Sequence, residues 1–181
     1  RARGKEDRRG GGEDMMVLGT HLFDLTRFLV GDPSWCFARI RHEGKPATKA
    51  HLRQGGEGMG LILGDHITAT YGLPNGALGT FGTHRAKFGV GQRFALSIFG
   101  SRGVVQMNTG SLPPVWFSDD PSWMPGRSKA KWVEVTSQGP GKPETLKAPG
   151  LGPGNVWIVK DLIEAIEKDR QPIGSVYDGR A

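Results

Sequence analysis

The sequence predicts an α+β fold, an open and mostly antiparallel sheet with helices packed on one face. Glycine accounts for 29 of the 181 residues, and its clustering favours a strand-rich chain with many turns. Short apolar stretches alternate with turn residues in the order expected of antiparallel hairpins. One amphipathic helical pattern precedes these stretches and another follows them. We therefore expect one sheet of about four to seven strands, whose other face meets water or a partner subunit.

The first helix is predicted over residues 14–30. Glu13 and Asp14 bring negative charge to its beginning, where the helix dipole favours it. Gly31 followed by Pro33 is the ordinary signal for a helix end. Apolar residues recur at intervals of three or four and should face the core: Met15, Leu18, Leu22, Leu25 and Leu29.

The expected strands follow in order along the chain. The first is Trp35–His42, and residues 43–64, which contain EGKP and GGEGMG, have the composition of a loop or irregular insertion. One hairpin spans 65–85, with its turn at Pro74–Gly76. A second hairpin spans 93–108, and PPVWFSDD and KWVEVTS are shorter strands.

A second helix is predicted from about Asn155 to Lys168, with Asn155 as its cap. We expect it to pack on the surface of the domain, with its polar side in water. Its apolar side comprises Val156, Val159, Leu162, Ile163 and Ile166.

The formal net charge is +6, and half of that excess lies in the first nine residues, RARGKEDRR. Such an arm could meet phosphate or nucleic acid, but no nucleic-acid-binding motif follows it. We therefore disfavour a nucleic-acid partner and expect residues 1–9 to be mobile and solvated. Cys36 is the only cysteine, which excludes an internal disulfide and a cysteine-based zinc site. We expect Cys36 to be a small buried side chain.

The chain contains no run of about 18 apolar residues, so we expect no membrane span. No signal peptide is recognisable, and we expect a cytoplasmic protein. The first residue is not methionine and both ends look cut, so we expect a single domain over residues 1–181 that belongs to a longer protein.

His21 is the polar residue at the edge of the first helix's apolar side. At 100° per residue, Asp14, His21 and Phe28 fall within about 40° of one another. Asp24 follows His21 by one turn, within side-chain reach, whereas Asp14 lies about 10 Å along the axis and needs a water or ligand between them. From the residues alone, His21 is either a satisfied, partly buried side chain or the working group of a site.

Several motifs occur along the sequence, and their order and spacing together are fairly specific. They are G-x-H-x-x-D at Gly19–Asp24, L-x-G at Leu29–Gly31, G-x-x-G-T-F at Gly76–Phe81, I-F-G-S-R-G-V-V at Ile98–Val105 and D-L-I-E-A-I-E-K-D-R-Q-P at Asp161–Pro172. Over nearly its whole length, the sequence resembles the C-terminal domain of the Gfo/Idh/MocA oxidoreductases.

The resemblance implies an N-terminal Rossmann domain that holds NAD or NADP and a second domain that contacts a sugar or polyol. It also implies a homo-oligomer formed through the open face of the sheet. Hydride passes to the nicotinamide while a lysine of the first domain and a histidine of the second manage the hydroxyl proton. His21 matches that histidine, and a neutral imidazole is suited to the transfer. The sequence has neither G-x-G-x-x-G after a strand nor the E-K-P lysine motif. The cofactor should therefore be held mainly by a domain outside this chain. This chain alone should not catalyse the reaction.

One position departs from the family pattern. Many members carry an aspartate four residues before the histidine, where this chain has Val17. That carboxylate would orient the imidazole and raise its basicity. Three explanations stay open: Asp14 or Asp24 substitutes for it, the chemistry differs from simple dehydrogenation, or the site has decayed.

Four further residues are candidates for substrate binding. Arg9 and Glu13 precede the first helix, and His84 and Arg85 end a predicted strand whose edge can face a cleft. Arg85 would suit a charged sugar or a phosphate. The alternatives are an exposed turn pair for His84 and Arg85 and a mobile arm for the residues before the helix.

Two rival functions remain. The domain could serve only in assembly, in a protein that has lost catalysis, which Val17 favours. It could less readily be a basic nucleic-acid-binding domain, which the charge of residues 1–9 favours.

Overall fold

The computed structural model describes residues 15–56, 58, 60–84, 94–108, 112–122, 129–147 and 152–180. The chain divides into two compact units, Arg1–Gly91 and Gln92–Ala181. Every strand pair that the structure describes is antiparallel, and the described strands form sheets of four, five and two strands. The predicted α+β class is therefore confirmed, although the hydrogen-bonded strands form three sheets instead of one.

The helix of the first unit begins with one π-helical turn, Met15–Gly19, and continues as α1, Thr20–Val30. Gly31 ends it at φ 110°, and its N–H donates to the carbonyl oxygen of Arg27 at 2.9 Å. A left-handed φ at this position favours glycine. The described part thus confirms the predicted helix, while the π turn, in which hydrogen bonds run i→i+5, was not foreseen.

The first unit contains a four-stranded sheet in the order β2-β1-β5-β6 and a separate pair, β3-β4. Strand β1 and the first hairpin lie where the sequence predicted them, and the segment 43–64 holds β2, a 3-10 turn and the β3-β4 pair. The strands are β1 Trp35–His42, β2 Lys45–Pro46, β3 Leu52–Gln54, β4 Leu61–Leu63, β5 His66–Gly72 and β6 Leu78–His84.

Helix α1 covers one face of the four-stranded sheet. The ring centroid of Phe23 lies 4.8 Å from that of Phe81 on β6 and 5.6 Å, edge-on, from that of Tyr71 on β5. Ile67 and Ala69 are buried on the same face.

Gly19 and Phe23 contact the sheet, and neither belongs to the predicted apolar stripe. Leu18 and Leu29 of that stripe remain 43% and 45% exposed. The other three residues of the stripe, Met15, Leu22 and Leu25, are half-buried, so spacing identified an apolar side but did not show that Gly19 and Phe23 contact the sheet.

The other face of this sheet is open. Residues opposite one another in antiparallel strands share a face, which groups Trp35 with Gly72 and Leu78, and Phe37 with Thr70. Trp35, Phe37 and Leu78 are 50%, 64% and 69% exposed.

Cys36 was expected to be buried, and this expectation is wrong. It lies on β1 opposite Tyr71 and is exposed. Burial of the phenol, with smaller contributions from the charge of Cys36 and a hydrogen bond to it, raises the pKa of Tyr71 to about 12. Cys36 was assigned to the core because it lies in an apolar strand, and the sequence does not show how far the helix layer extends over the sheet.

The second unit contains a five-stranded sheet in the order β11-β10-β9-β8-β7, followed by two helices. The predicted second hairpin is β7-β8, and the two shorter predicted strands are β9 and β10. The elements are β7 Ala95–Gly100, β8 Gly103–Asn108, β9 Val115–Ser118, β10 Val133–Thr136, β11 Gly139–Pro140, α2 Gly152–Glu167 and α3 Val176–Arg180.

Helix α2 differs from the prediction in two ways. It begins at Gly152, so Asn155 lies inside it and does not cap it. The five residues of its predicted apolar side are 48% to 73% exposed, and of its described residues only Ala165 is buried. Hydrophobic spacing reports which side of a helix is apolar, not whether this chain covers it. None of the helices in the described ranges is long and apolar enough to cross a membrane.

Candidate functional site

His21 lies in the first turn of α1 on the side turned away from the sheet. At 100° per residue it is about 160° from both Gly19 and Phe23, the two residues that contact the sheet. The side chain is exposed, and Phe28, two turns along, is 81% exposed. His21 is therefore not a core histidine.

Asp24 is the only carboxylate predicted for the site that belongs to the described residues. It follows His21 by three positions, about 60° around the helix, and is exposed. Side chains at this spacing are neighbours on a helix surface. The structure thus brings His21 and Asp24 to one side of α1.

The π turn removes the geometric basis for pairing Asp14 with His21. That pairing assumed 100° per residue throughout the helix, but hydrogen bonds within Met15–Gly19 run i→i+5, so this turn takes about one more residue. Asp14 itself, like Arg9, Glu13 and Arg85, lies outside the described residues, as does the side chain of Val17.

His84 is the last residue of β6, and its backbone pairs with His66, while its side chain lies outside what the structure describes. Helix α1 runs along β6 in the opposite direction, because Gly19 lies beside Phe81 and Gly31 lies beside Pro74. Measured along the helix axis from the Gly19–Phe81 contact, the backbone of His21 lies about 3 Å towards the C-terminal end of α1. The backbone of His84 lies about 10 Å in the opposite direction. The backbone positions of His21 and His84 are thus roughly 13 Å apart along the helix, so we do not pair them.

The chain was compared with known proteins. The family described as GFO/IDH/MocA C-terminal domain matches residues 1–106, which is more than half of this chain. The chain belongs to this family. The resemblance inferred from the motifs is therefore confirmed. Comparison with curated proteins gave no match.

Solved structures support the same fold for this GFO/IDH/MocA domain. Levoglucosan dehydrogenase in complex with NADH and L-sorbose is 23% identical, with a TM-score of 0.57, over 90% of this chain and 43% of that chain. An oxidoreductase domain protein from Kribbella flavida is 24% identical, with a TM-score of 0.58, over the same shares. At this identity the likeness shows the fold alone, and the chain spans less than half the length of either structure.

The glycine-rich run GGEGMG of this GFO/IDH/MocA domain, as far as the structure describes it, joins two strands. The Gly55 N–H donates to the carbonyl oxygen of Gly60 at 2.7 Å, between strands β3 and β4. A dinucleotide fingerprint instead links a strand to the beginning of a helix. Within the described ranges, no three His, Cys, Asp or Glu side chains are grouped to hold a metal ion.

Sequence reasoning missed the residues that set the position of the His21 helix. Gly19 and Phe81 entered only as letters of two motifs, G-x-H-x-x-D and G-x-x-G-T-F. The structure shows that they touch, since Gly19 is buried and a β-carbon there would lie 3.2 Å from Cζ of Phe81. A glycine inside a helical pattern is the signal that could have found them, because it marks either a weak point or a close approach.

Proposed function

We propose that this domain is the substrate-binding and assembly part of an NAD(P)-dependent oxidoreductase that acts on a sugar or polyol, with His21 as its proton-transfer residue. The carrying observation is that His21 projects from the free side of a helix whose opposite side is seated on the sheet. Family membership supports the class of reaction. The similar structures, levoglucosan dehydrogenase in complex with NADH and L-sorbose and with NADH and levoglucosan, support the cofactor and substrate class.

Oxidation of an alcohol carbon removes a hydride from carbon and a proton from the hydroxyl group, leaving a carbonyl. A nicotinamide held by another domain would accept the hydride, since this chain's glycine-rich run closes a hairpin. The part assigned to this chain is the proton. An imidazole nitrogen of His21 accepts it from the hydroxyl, and the exposure of His21 lets it pass on to water.

Asp24 is the assistant to His21 in this proposal. A carboxylate one turn away favours the positively charged imidazolium that forms when the proton is accepted. Asp24 would thus take over part of the role of the family aspartate that Val17 replaces.

Assembly is assigned to the open face of the first sheet. Trp35, Phe37 and Leu78 give it two exposed aromatic side chains and a leucine. Large contiguous apolar surface of this kind marks interaction sites, and aromatic residues are enriched in interface centres. A homo-oligomer formed through this face would remove these side chains from water.

A second candidate is a domain that only assembles, in a protein without catalysis. Val17 at the place of the family aspartate favours it. The two candidates differ in whether the full-length protein binds a dinucleotide and reduces it.

The test uses the full-length protein that carries this chain, with NAD⁺ and NADP⁺ and a panel of sugars and polyols that includes levoglucosan and L-sorbose. Appearance of reduced nicotinamide is followed by absorbance. We expect turnover with at least one sugar and a fall in kcat of roughly a hundredfold or more in His21→Ala, the size of a lost acid–base group.

The matched control is Asn155→Ala, an exposed helical residue of the second unit, which should keep wild-type kcat. Equal kcat in His21→Ala and wild type would remove His21 from the reaction. A protein that binds neither dinucleotide and oxidises no sugar would favour the assembly-only candidate.

A further inference from the structure

Two glycines flank helix α1, and each lies close to a neighbouring side chain: Gly19 to Phe81 on β6, and Gly31 to Pro74 in the turn before β6. Gly19 is buried with a β-carbon position 3.2 Å from Cζ of Phe81, and Gly31 has one 2.9 Å from Cγ of Pro74. Twelve residues separate the glycines, which is about 18 Å of helix. A methyl group at Gly19 would require Phe81 to move by a few tenths of an ångström, so this contact sets how closely the beginning of the helix approaches β6.

Phe81 cannot easily yield at the first of these contacts. Its ring packs against that of Phe23, with the centroids 4.8 Å apart, and a β-carbon at Gly19 would contact both rings. Phe23 is in turn held edge-on by Tyr71 at 5.6 Å. Packed interiors transmit such constraints because they contain few voids into which a ring could move.

The contact lies two residues before His21. Because α1 is continuous from Thr20, a change in the height of Gly19 above Phe81 carries the His21 backbone with it. The side chain of His21 points away from the contact, so Phe81 touches the helix without touching anything His21 could bind.

We infer that Phe81, acting through Gly19, is the positioning residue that fixes where His21 meets the substrate hydroxyl. This inference rests on the proposed function of His21. Misplacement of a reacting group by about 1 Å can cost a hundredfold in rate, so a shift of a few tenths of an ångström should cost roughly fivefold to tenfold.

The variants are Gly19→Ala, Phe81→Leu and the double variant. Gly19 has φ −63° and ψ −32°, a backbone that alanine adopts readily, so the added methyl group acts through its contacts, of which the tightest is with Phe81 at 3.2 Å and the next with Phe23 at 3.4 Å. Leucine lacks the far end of the ring, so the double variant has room for the methyl group. Gly154→Ala is the matched control, since Gly154 also lies in a helix but a β-carbon there meets nothing within 4 Å.

Two readouts separate positioning from folding. In the 181-residue chain, the amide chemical shift of His21 should move in Gly19→Ala and return towards wild type in the double variant. In the full-length protein, with the sugar that turns over fastest in the panel, Gly19→Ala should lower kcat about fivefold to tenfold without changing KM for the dinucleotide. The double variant should recover at least half of that loss, although Phe81→Leu alone lowers the melting temperature.

The outcomes are distinguishable. If His21→Ala lowers kcat but Gly19→Ala keeps both wild-type kcat and the wild-type His21 amide shift, the positioning inference is wrong and the proposed function stands. If kcat follows the melting temperature across the four variants, Phe81 is merely structural. If His21→Ala itself keeps wild-type kcat, the proposed function fails, and the amide shifts alone report whether Phe81 sets the helix position.

Discussion

Trp35 on β1 covers Gly72, its cross-strand partner on β5, so closely that a β-carbon at Gly72 would overlap the indole ring. This pair stands on the open face of the first sheet. Gly72→Ala should therefore displace Trp35 and lower the free energy of unfolding by about 1–3 kcal/mol, the usual cost of overpacking.

The measurement is urea denaturation of the 181-residue chain. Gly82→Ala is the matched control, because Gly82 lies on the neighbouring strand β6 and a β-carbon there meets no atom within 4 Å. Equal urea concentrations at the unfolding midpoint for the two variants would contradict the account of the Trp35–Gly72 contact.

A homo-oligomer formed through the open face should depend on Phe37. Phe37→Asp places a charge among apolar side chains that the interface removes from water, and we expect dissociation to smaller species in sedimentation velocity. Leu61→Asp is the control, since Leu61 is an equally exposed apolar residue on the separate β3-β4 pair. Dissociation of the Leu61→Asp variant but not of the Phe37→Asp variant would show that the interface does not lie on the open face.

The loop after β10 is fastened by Glu144. Its carboxylate accepts hydrogen bonds from the hydroxyl and N–H of Ser137 and from the N–H of Leu146, and these bonds lower the pKa of Glu144 to about 2. The pKa of Glu144 in the folded chain lies below its ordinary value of 4.5. The hydrogen bonds of the ionised carboxylate therefore stabilise the folded loop fully above about pH 4.5, and this stabilisation is lost as the pH falls towards 2.

Carboxyl NMR of the 181-residue chain should give a midpoint near pH 2 for Glu144. Ser137→Ala removes the hydroxyl donor, the largest cause of the shift, and should raise that midpoint. A wild-type midpoint at the ordinary glutamate value would show that these hydrogen bonds are absent in solution.

The sequence was sufficient for the elements whose signals are local. Trp35–His42 was predicted with both ends correct, and the Pro74–Gly76 turn marked the first hairpin. Turn chemistry and strand alternation act within a few residues, so a single sequence carries them.

Features that depend on distant contacts were not predictable. Spacing predicted a helix over residues 14–30 but not its π turn, nor Gly19 as a contact with the sheet. The Gly19 contact depends on Phe81, about sixty residues further on, and no pattern in the helix reveals it. For the site, the sequence singled out His21 and Asp24, which lie on one side of α1 as their spacing implies, whereas Asp14 lies outside the described residues.

Chemical rescue tests the central claim most directly. In the full-length protein, His21→Ala should lose turnover with the best sugar of the panel, and added imidazole should restore it in proportion to its concentration, because the His21 position is open to solvent. Wild-type turnover by His21→Ala without imidazole would contradict the claim that His21 carries the proton.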